Sequence, residues 1–220
     1  MKNVYFSDIT AWAPGLGSDE ELWKEWANDI IPIAQIKESP KLEYTDPLFR
    51  RRLSQITKMT VHVIHNLIEN THISSDTKLV FISQRGEIER EFTINKGLIE
   101  DNMILPAGFS LSVFNTPVSS ATLAFGLKGG YSVIYPSKGK FNDAFKTAAA
   151  PILAGTEGQI ILVYADELVP EVYGNKRPAD NYPFAFAGII SADKRNKCVS
   201  FDDFSNVPES PMDFLKLILR

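Results

Sequence analysis

Thiol chemistry is almost missing from this chain: its 220 residues include one cysteine, Cys198. A single thiol excludes an intrachain disulfide framework and a cysteine-based zinc cluster. Cys198 follows Arg195, Asn196 and Lys197, a context that predicts a hairpin tip or strand start and a bystander role. Histidine is scarce too, with only His62, His65 and His72. No run of about 18 apolar residues occurs, and Met1-Lys2-Asn3-Val4 enters structure directly. Neither a membrane span nor a signal peptide is therefore expected, and the cytoplasm is the expected location. The net charge of −4 is too mild to indicate nucleic-acid binding. The nearest basic run, Arg50-Arg51-Arg52, falls in a helical pattern and reads as a solvated face. A phosphate-cradling glycine loop is absent, since Gly15 and Gly17 lack the third glycine and the strand before it. There is no internal repeat and no low-complexity stretch.

What is present is an ordinary globular composition, 44% hydrophobic and 23% charged, at a length that suits one domain over residues 1–220. Strand and helix signals alternate. Val4-Tyr5-Phe6 reads as a short strand, followed by the turn Pro14 to Gly17. Ser18 with Glu21 forms a capping-box pattern ahead of a helix that puts Leu22, Trp23, Trp26 and Ile30 on one face. Asp46-Pro47 predicts a second helix start, with Asp46 as N-cap, running nearly to Asn70. Its buried stripe is Leu53, Ile56, Thr60, Val63, Ile64, Leu67 and Ile68.

Lys78 to Ser83 predicts a strand, Glu87 to Ile99 a helix, and Phe109 to Phe125 a tightly packed helix deep in the fold. Tyr131 to Tyr135 is a strand, Pro136 to Lys140 a sharp loop, and Phe141, Ala144, Phe145, Ala148 and Ile152 mark a core helix. Gln159 to Ala165 is a continuous apolar run, the pattern of a strand buried on both faces. A proline-rich excursion over residues 168–182 precedes a strand from Phe184 to Ile190. Ser210-Pro211 caps a final apolar helix, Met212 to Leu219. The alternation predicts an α/β fold with a mostly parallel sheet and helices on both faces. At the end of the apolar strand, Asp166 and Glu167 are paired carboxylates, which serve either as acid and base or as turn and helix-cap groups.

Three ordered stretches resemble the ketosynthase branch of the thiolase fold. They are residues 8–23, Asp-Ile-Thr-Ala-Trp-Ala-Pro-Gly-Leu-Gly-Ser-Asp-Glu-Glu-Leu-Trp; residues 124–133, Ala-Phe-Gly-Leu-Lys-Gly-Gly-Tyr-Ser-Val; and residues 158–167, ending Leu-Val-Tyr-Ala-Asp-Glu. A narrower resemblance is to the short chain-length-factor-related proteins associated with aryl-polyene-type synthases. Ser83-Gln84-Arg85-Gly86-Glu87, Phe109-Ser110-Leu111-Ser112-Val113-Phe114-Asn115 and the Ala165-Asp166-Glu167-Leu168-Val169-Pro170-Glu171-Val172-Tyr173 phrase carry it. The resemblance spans roughly residues 4–190 and implies half of a thiolase-like subunit, a mostly parallel sheet of the five-stranded type.

The departures from that family bear on function. In condensing enzymes a cysteine sits on a sharp turn at the start of a buried helix, where its thiolate is stabilised for acyl transfer. The resemblance puts that position at or near Ser137, in Pro136-Ser137-Lys138-Gly139. It also puts the catalytic histidines in a C-terminal half beyond the matched region, so His62, His65 and His72 are expected to pack or to be solvated. Phe114 stands where the family carries histidine. The implied function is a non-catalytic, chain-length-factor-like subunit in fatty-acid or polyene-type biosynthesis, working with a partner ketosynthase or an acyl carrier protein. The alternatives are a small acyl-transfer or hydrolytic enzyme using Ser137, or a degenerate interaction scaffold. Ser137 is the one candidate nucleophile, and Ser83, Glu87, Asn115, Lys138, Lys140 and Asp166 are candidate ligand or partner contacts. No cofactor and no metal are implied. A dimer through residues 131–135 is expected, with no nucleic-acid partner.

Overall fold

The computed structural model describes residues 3–103, 106–173 and 181–220. The strand signals assemble into one six-stranded sheet. Its strands are β1 (Val4–Trp12), β2 (Lys78–Ile82), β3 (Tyr131–Ile134), β4 (Gln159–Asp166), β5 (Phe184–Ser191) and β6 (Val199–Phe201), in the order β3-β2-β4-β5-β1-β6. β2 runs parallel to both β3 and β4, while β4–β5, β5–β1 and β1–β6 are antiparallel. The α/β class therefore holds, but the sheet is mixed and six-stranded instead of mostly parallel and five-stranded. A parallel neighbour needs a crossover helix. Helices supply one between β2 and β3 and between β3 and β4, whereas only a short 3-10 turn, Glu171–Tyr173, is described between β4 and β5. Residues 174–180 of the expected proline-rich excursion lie outside the described residues.

The helices are α1 (Glu20–Ala27), α2 (Pro47–Arg50), α3 (Gln55–Asn70), α4 (Ile88–Glu100), α5 (Pro106–Phe109), α6 (Thr116–Phe125), α7 (Phe141–Ala154) and α8 (Pro211–Leu219). They cover both faces of the sheet. On one face Trp23, Trp26, Phe141, Phe145 and Phe214 pack on Phe6, Ile160, Leu162 and Phe186. On the other, Ile56, Ile64, Leu67, Val118 and Ala121 pack on Leu79, Phe81, Ile161 and Val163. Adjacent residues of β2 and β4 serve opposite cores, which is why their sequences read as unbroken apolar runs. Gly188 of β5 lets the Phe6 ring lie directly on the sheet, because a Cβ there would come within 2.4 Å of it.

Several local expectations are corrected. The helix expected from Asp46 to Asn70 is two helices. Asp46 caps α2 through its carboxylate, accepting from the amides of Leu48 and Phe49, but the chain leaves helical geometry at Leu53. Ser54 then starts α3, its hydroxyl accepting from the Thr57 amide at 3.2 Å. At α1 the cap is Asp19, not Ser18. A carboxylate is the stronger acceptor, and it takes the amides of Glu21 and Leu22 at 2.9 and 3.1 Å. α1 stops at Ala27, leaving Ile30 exposed. Only Thr116–Phe125 of the 109–125 stretch forms a continuous helix, and its Leu123 faces solvent. β1 extends beyond Phe6 to Trp12, and Cys198 immediately precedes β6, half-buried.

Candidate functional site

The parallel strands β2, β3 and β4 end at the same edge of the sheet, the edge where open α/β sheets hold their ligands. Two regions meet there, one polar and closed, the other exposed and chemically sparse.

The closed region is a knot of buried carboxylates. Asp166, 2% exposed, ends β4. Its Oδ1 accepts the Ser83 hydroxyl at 2.7 Å and the amides of Gln84 and Arg85, both at 3.1 Å. Its Oδ2 accepts the Tyr164 hydroxyl at 2.5 Å. Burial raises the Asp166 pKa, and Arg85, Tyr164 and Ser83 pull against that rise. The Ser83 hydroxyl also accepts the Gly86 amide at 2.8 Å, so the 83–87 turn is folded around it. Glu87 is fully buried and accepts the Ser54 hydroxyl at 2.7 Å, the Thr57 hydroxyl, and Nε of Arg90 at 3.1 Å. Glu167 accepts the Ile56 amide of α3 and the Glu89 amide of α4, each at 3.2 Å. Burial, with the Glu87 charge adding to it, pushes the Glu167 carboxyl up to about 8. The structure thus brings Ser83, Glu87 and Asp166 together and occupies their polar atoms within the chain. Sequence reading did not find Ser54, Thr57 and Arg90. The Glu87–Arg90 spacing of three residues was the one available signal for the last.

Ser137 lies in the other region, past the end of β3, and is exposed. Among the described residues no histidine or carboxylate is hydrogen-bonded to its hydroxyl, so no general base activates it. Lys138 and Lys140 are exposed beside it. The first amide of α7, on Phe141, donates to the Glu209 carbonyl at 3.1 Å, so that donor of the helix start is taken up by the chain. Phe114 fills the ground between the two regions. Its ring lies where a Cβ on Gly86 would approach within 2.7 Å, and it packs edge-on against Tyr135 with centroids 4.6 Å apart. Gly86, at φ +59°, meets both demands of that corner, a left-handed turn and no side chain. Asn115 donates to the Tyr131 hydroxyl at 2.9 Å on the β3 edge.

The histidines lie elsewhere. His62 and His65 project from α3 against Tyr44, whose ring stacks on His65 at 3.5 Å. His62 contacts the Ser18 hydroxyl through Nε2 at 3.0 Å, and burial, then His65, lowers its pKa to about 4. His72 is exposed after α3. Among the described residues, no group of three or more His, Cys, Asp or Glu side chains is arranged to hold a metal. No described helix is long and apolar enough to cross a membrane.

A cavity of about 690 Å³ opens beside the carboxylate knot, between α3 and α4. Glu89, Arg90, Lys58 and Glu167 are among its polar groups, and Ile94 and Met103 form part of its apolar wall.

Comparison with known proteins places this architecture. A family profile described as the β-ketoacyl synthase N-terminal domain matches residues 23–212. A solved structure of a ketosynthase (ApeO) in complex with its chain length factor (ApeC), from Xenorhabdus doucetiae, contains a chain 27% identical to this one. It superposes with a TM-score of 0.76, over 98% of this chain and 90% of that one. The ishigamide ketosynthase/chain length factor superposes with a TM-score of 0.68 at 11% identity, over 86% of this chain and 62% of that one. A type II polyketide synthase acyl-carrier protein in complex with its ketosynthase (AntDE:AntF) gives 0.66 at 13%, over 87% and 63%. The chain therefore spans less than two thirds of these last two, and at such identities the likeness is one of fold. No curated protein sequence matches the chain. The fold is thiolase-like, of the ketosynthase kind.

Proposed function

The chain belongs to the β-ketoacyl synthase N-terminal domain family, and from that premise we propose that it is a non-catalytic, chain-length-factor-like subunit. It supports fatty-acid or polyene-type biosynthesis by shaping or holding a partner condensing enzyme or an acyl carrier protein. The observation that carries this reading is the state of the corner after β3. Ser137, which the resemblance puts at or near the nucleophile position, has no base on its hydroxyl among the described residues, and the Phe114 ring packs on Tyr135 two residues before it. An acyl transfer needs a nucleophile, a proton acceptor and a polarised pocket at one point. Here Asp166, Glu87 and Glu167 are committed to hydrogen bonds within the fold.

The similarity to a chain in a ketosynthase–chain length factor complex supports the same reading, the more so because this chain spans 90% of that one. The partner would meet the open edge of the sheet. β3 is the terminal strand, paired on one side to β2; its Tyr131 and the following Tyr135 are 38% and 64% exposed, and Leu123 of α6 is 82% exposed. An unpaired edge flanked by aromatic and aliphatic surface is a pairing surface. In this reading Asn115, Lys138 and Lys140 contact the partner at the rim, and Ser83, Glu87 and Asp166 hold the turn that presents it.

Purified protein supplied with malonyl- and acyl-loaded carrier is expected to give neither condensation nor decarboxylation by itself. Turnover that persists through purification and disappears in Ser137→Ala would overturn the proposal in favour of a serine enzyme.

A further inference from the structure

Ser137 has no base, but another serine does. Ser18 stands between the Pro14–Gly17 turn and α1, and the backbone is fixed on both sides of it. Before it, the Leu16 and Gly17 amides donate to the Ala13 carbonyl at 3.1 and 2.9 Å, and the Gly17 carbonyl accepts the Trp23 indole at 3.1 Å. After it, the Asp19 amide donates to the Leu16 carbonyl at 3.3 Å, and the Asp19 carboxylate caps α1.

This placement brings the Ser18 hydroxyl to the middle of α3. Its Oγ lies 3.0 Å from His62 Nε2, and Asn66 Nδ2, one helical turn further along, donates to the same Oγ at 3.3 Å. The Asn66 amide is also 3.2 Å from His62 Nε2. Nε2 therefore faces two donors and is the acceptor, which puts the ring proton on Nδ1, where the Tyr44 hydroxyl oxygen lies at 3.4 Å. With Asn66 donating to it, the Ser18 oxygen turns its own hydrogen toward the ring. Val61 and Val63, fully buried on either side of His62, anchor this stretch of α3 in the core. A hydroxyl hydrogen-bonded to a neutral imidazole, with an amide donor beside the oxygen, is the arrangement from which serine attacks a carbonyl. Burial, then His65, holds the His62 pKa at about 4, so the ring is neutral at ordinary pH and weakly basic.

We propose that Ser18 and His62 form a nucleophile–base pair that takes the acyl group of a small activated ester onto Ser18. Oγ bonds to the carbonyl carbon as its proton passes to His62 Nε2. The bond from that carbon to the leaving oxygen then breaks, and the proton moves from Nε2 to the departing oxygen. The products are an acyl-serine at position 18 and the free alcohol. Ser18 and Tyr44 are both exposed, so the pair is open at the surface and suits a short acyl group. A weak base accelerates the attack modestly, so the outcome is a slowly modified serine and not rapid turnover. This chemistry is separate from condensation at the corner after β3.

Treating the whole protein with p-nitrophenyl acetate near neutral pH, and locating the acetylated residues by peptide mass spectrometry over time, tests this. Ser137 is the internal control, since it is also exposed and has no base on its hydroxyl among the described residues. Ser18 should be acetylated about tenfold faster than Ser137 or more, the low end of what a positioned base contributes being larger still. His62→Gln should bring Ser18 down to the rate of Ser137. Acetylation of Ser18 no faster than that of Ser137, or as fast in His62→Gln as in the wild type, would each overturn the proposal. The comparison of the two serines within the wild type decides the matter even if His62→Gln does not fold.

Discussion

α7 and α4 are nearly equal in length, 14 and 13 residues, and both follow a parallel strand, yet they are held in opposite ways. α7 buries Phe141, Ala144, Phe145, Ala148, Ala149 and Ile152, and its Phe145 ring sits within 5.0 Å of Phe201 and Phe214. No residue of α4 is buried, and carboxylates, amides and an arginine hold its first turn while Phe92 meets Tyr173 edge-on further along. A helix packed along its length belongs to the cooperative core. One with no buried side chain can open at lower free energy. The difference separates the part of the molecule that carries the fold from the part that borders the cavity.

The strongest way to break that comparison is to truncate each helix. Phe145→Ala should destabilise the protein by about 3–5 kcal/mol in denaturant titration, the range for a buried aromatic. Ile99→Ala should stay within about 0.5 kcal/mol. Similar losses at both sites would show that α4 is part of the core.

The same contrast extends to the strands, with β4 central and β3 at the edge. Val133→Asp should weaken association, or the fold itself, by several kcal/mol, roughly the cost of burying an unpaired carboxylate. Sedimentation of the wild type as a monomer at micromolar concentration, with Val133→Asp still folded, would remove β3 from the interface.

A third test uses pH. The Glu167 pKa is raised from 4.5 to about 8 by burial, so the folded protein binds this proton more tightly than the unfolded chain does. Its contribution is fully present below pH 4.5 and is lost as pH rises through about 8. Stability should therefore fall across that window by on the order of a few kcal/mol, and Glu167→Gln should flatten the decline. A stability that rises across the window in the wild type would show that the helix N-termini outweigh burial at this carboxyl. The smallest effects belong to Ser137, in the exposed corner after β3, and to Cys198, beside β6 at the opposite edge of the sheet. Ser137→Ala and Cys198→Ser should each change stability by less than about 0.5 kcal/mol, and Cys198→Ser should leave partner binding intact. Loss of binding in a folded Cys198→Ser would move the site away from β3.

Much of the fold was legible where a residue acts on its own neighbours. Asp46-Pro47 and Ser210-Pro211 start helices as their chemistry requires, and the apolar run from Gln159 became the central strand. The reading failed where two local solutions compete. Ser18 and Asp19 are both acceptable caps, and the choice went to the carboxylate while the Ser18 hydroxyl found His62. The 109–125 stretch has helical composition throughout, but only its second half lies on α3 and the sheet. The site was legible in part. The pair Asp166-Glu167 reads as a strand-end group in the sequence, and β4 does end at Asp166. The convergence of Glu87 with Ser54, Thr57 and Arg90 depends on contacts 30 or more residues apart for the first two, which no local pattern encodes.

By itself, the sequence determined the alternation of strands and helices, the core-facing stripe of α7 and the missing thiol near Ser137. These follow from periodicity, backbone chemistry and residue identity, which act within a few positions. Only the tertiary structure decided that the sheet is mixed, that Gly188 yields its place to Phe6, and that Phe114 lies against Gly86. It also decided that Glu167 joins two helix starts beside Glu87. Strand direction, close packing and the burial of a carboxyl depend on which distant segments the folded chain brings together, and a carboxyl's proton affinity depends on that company.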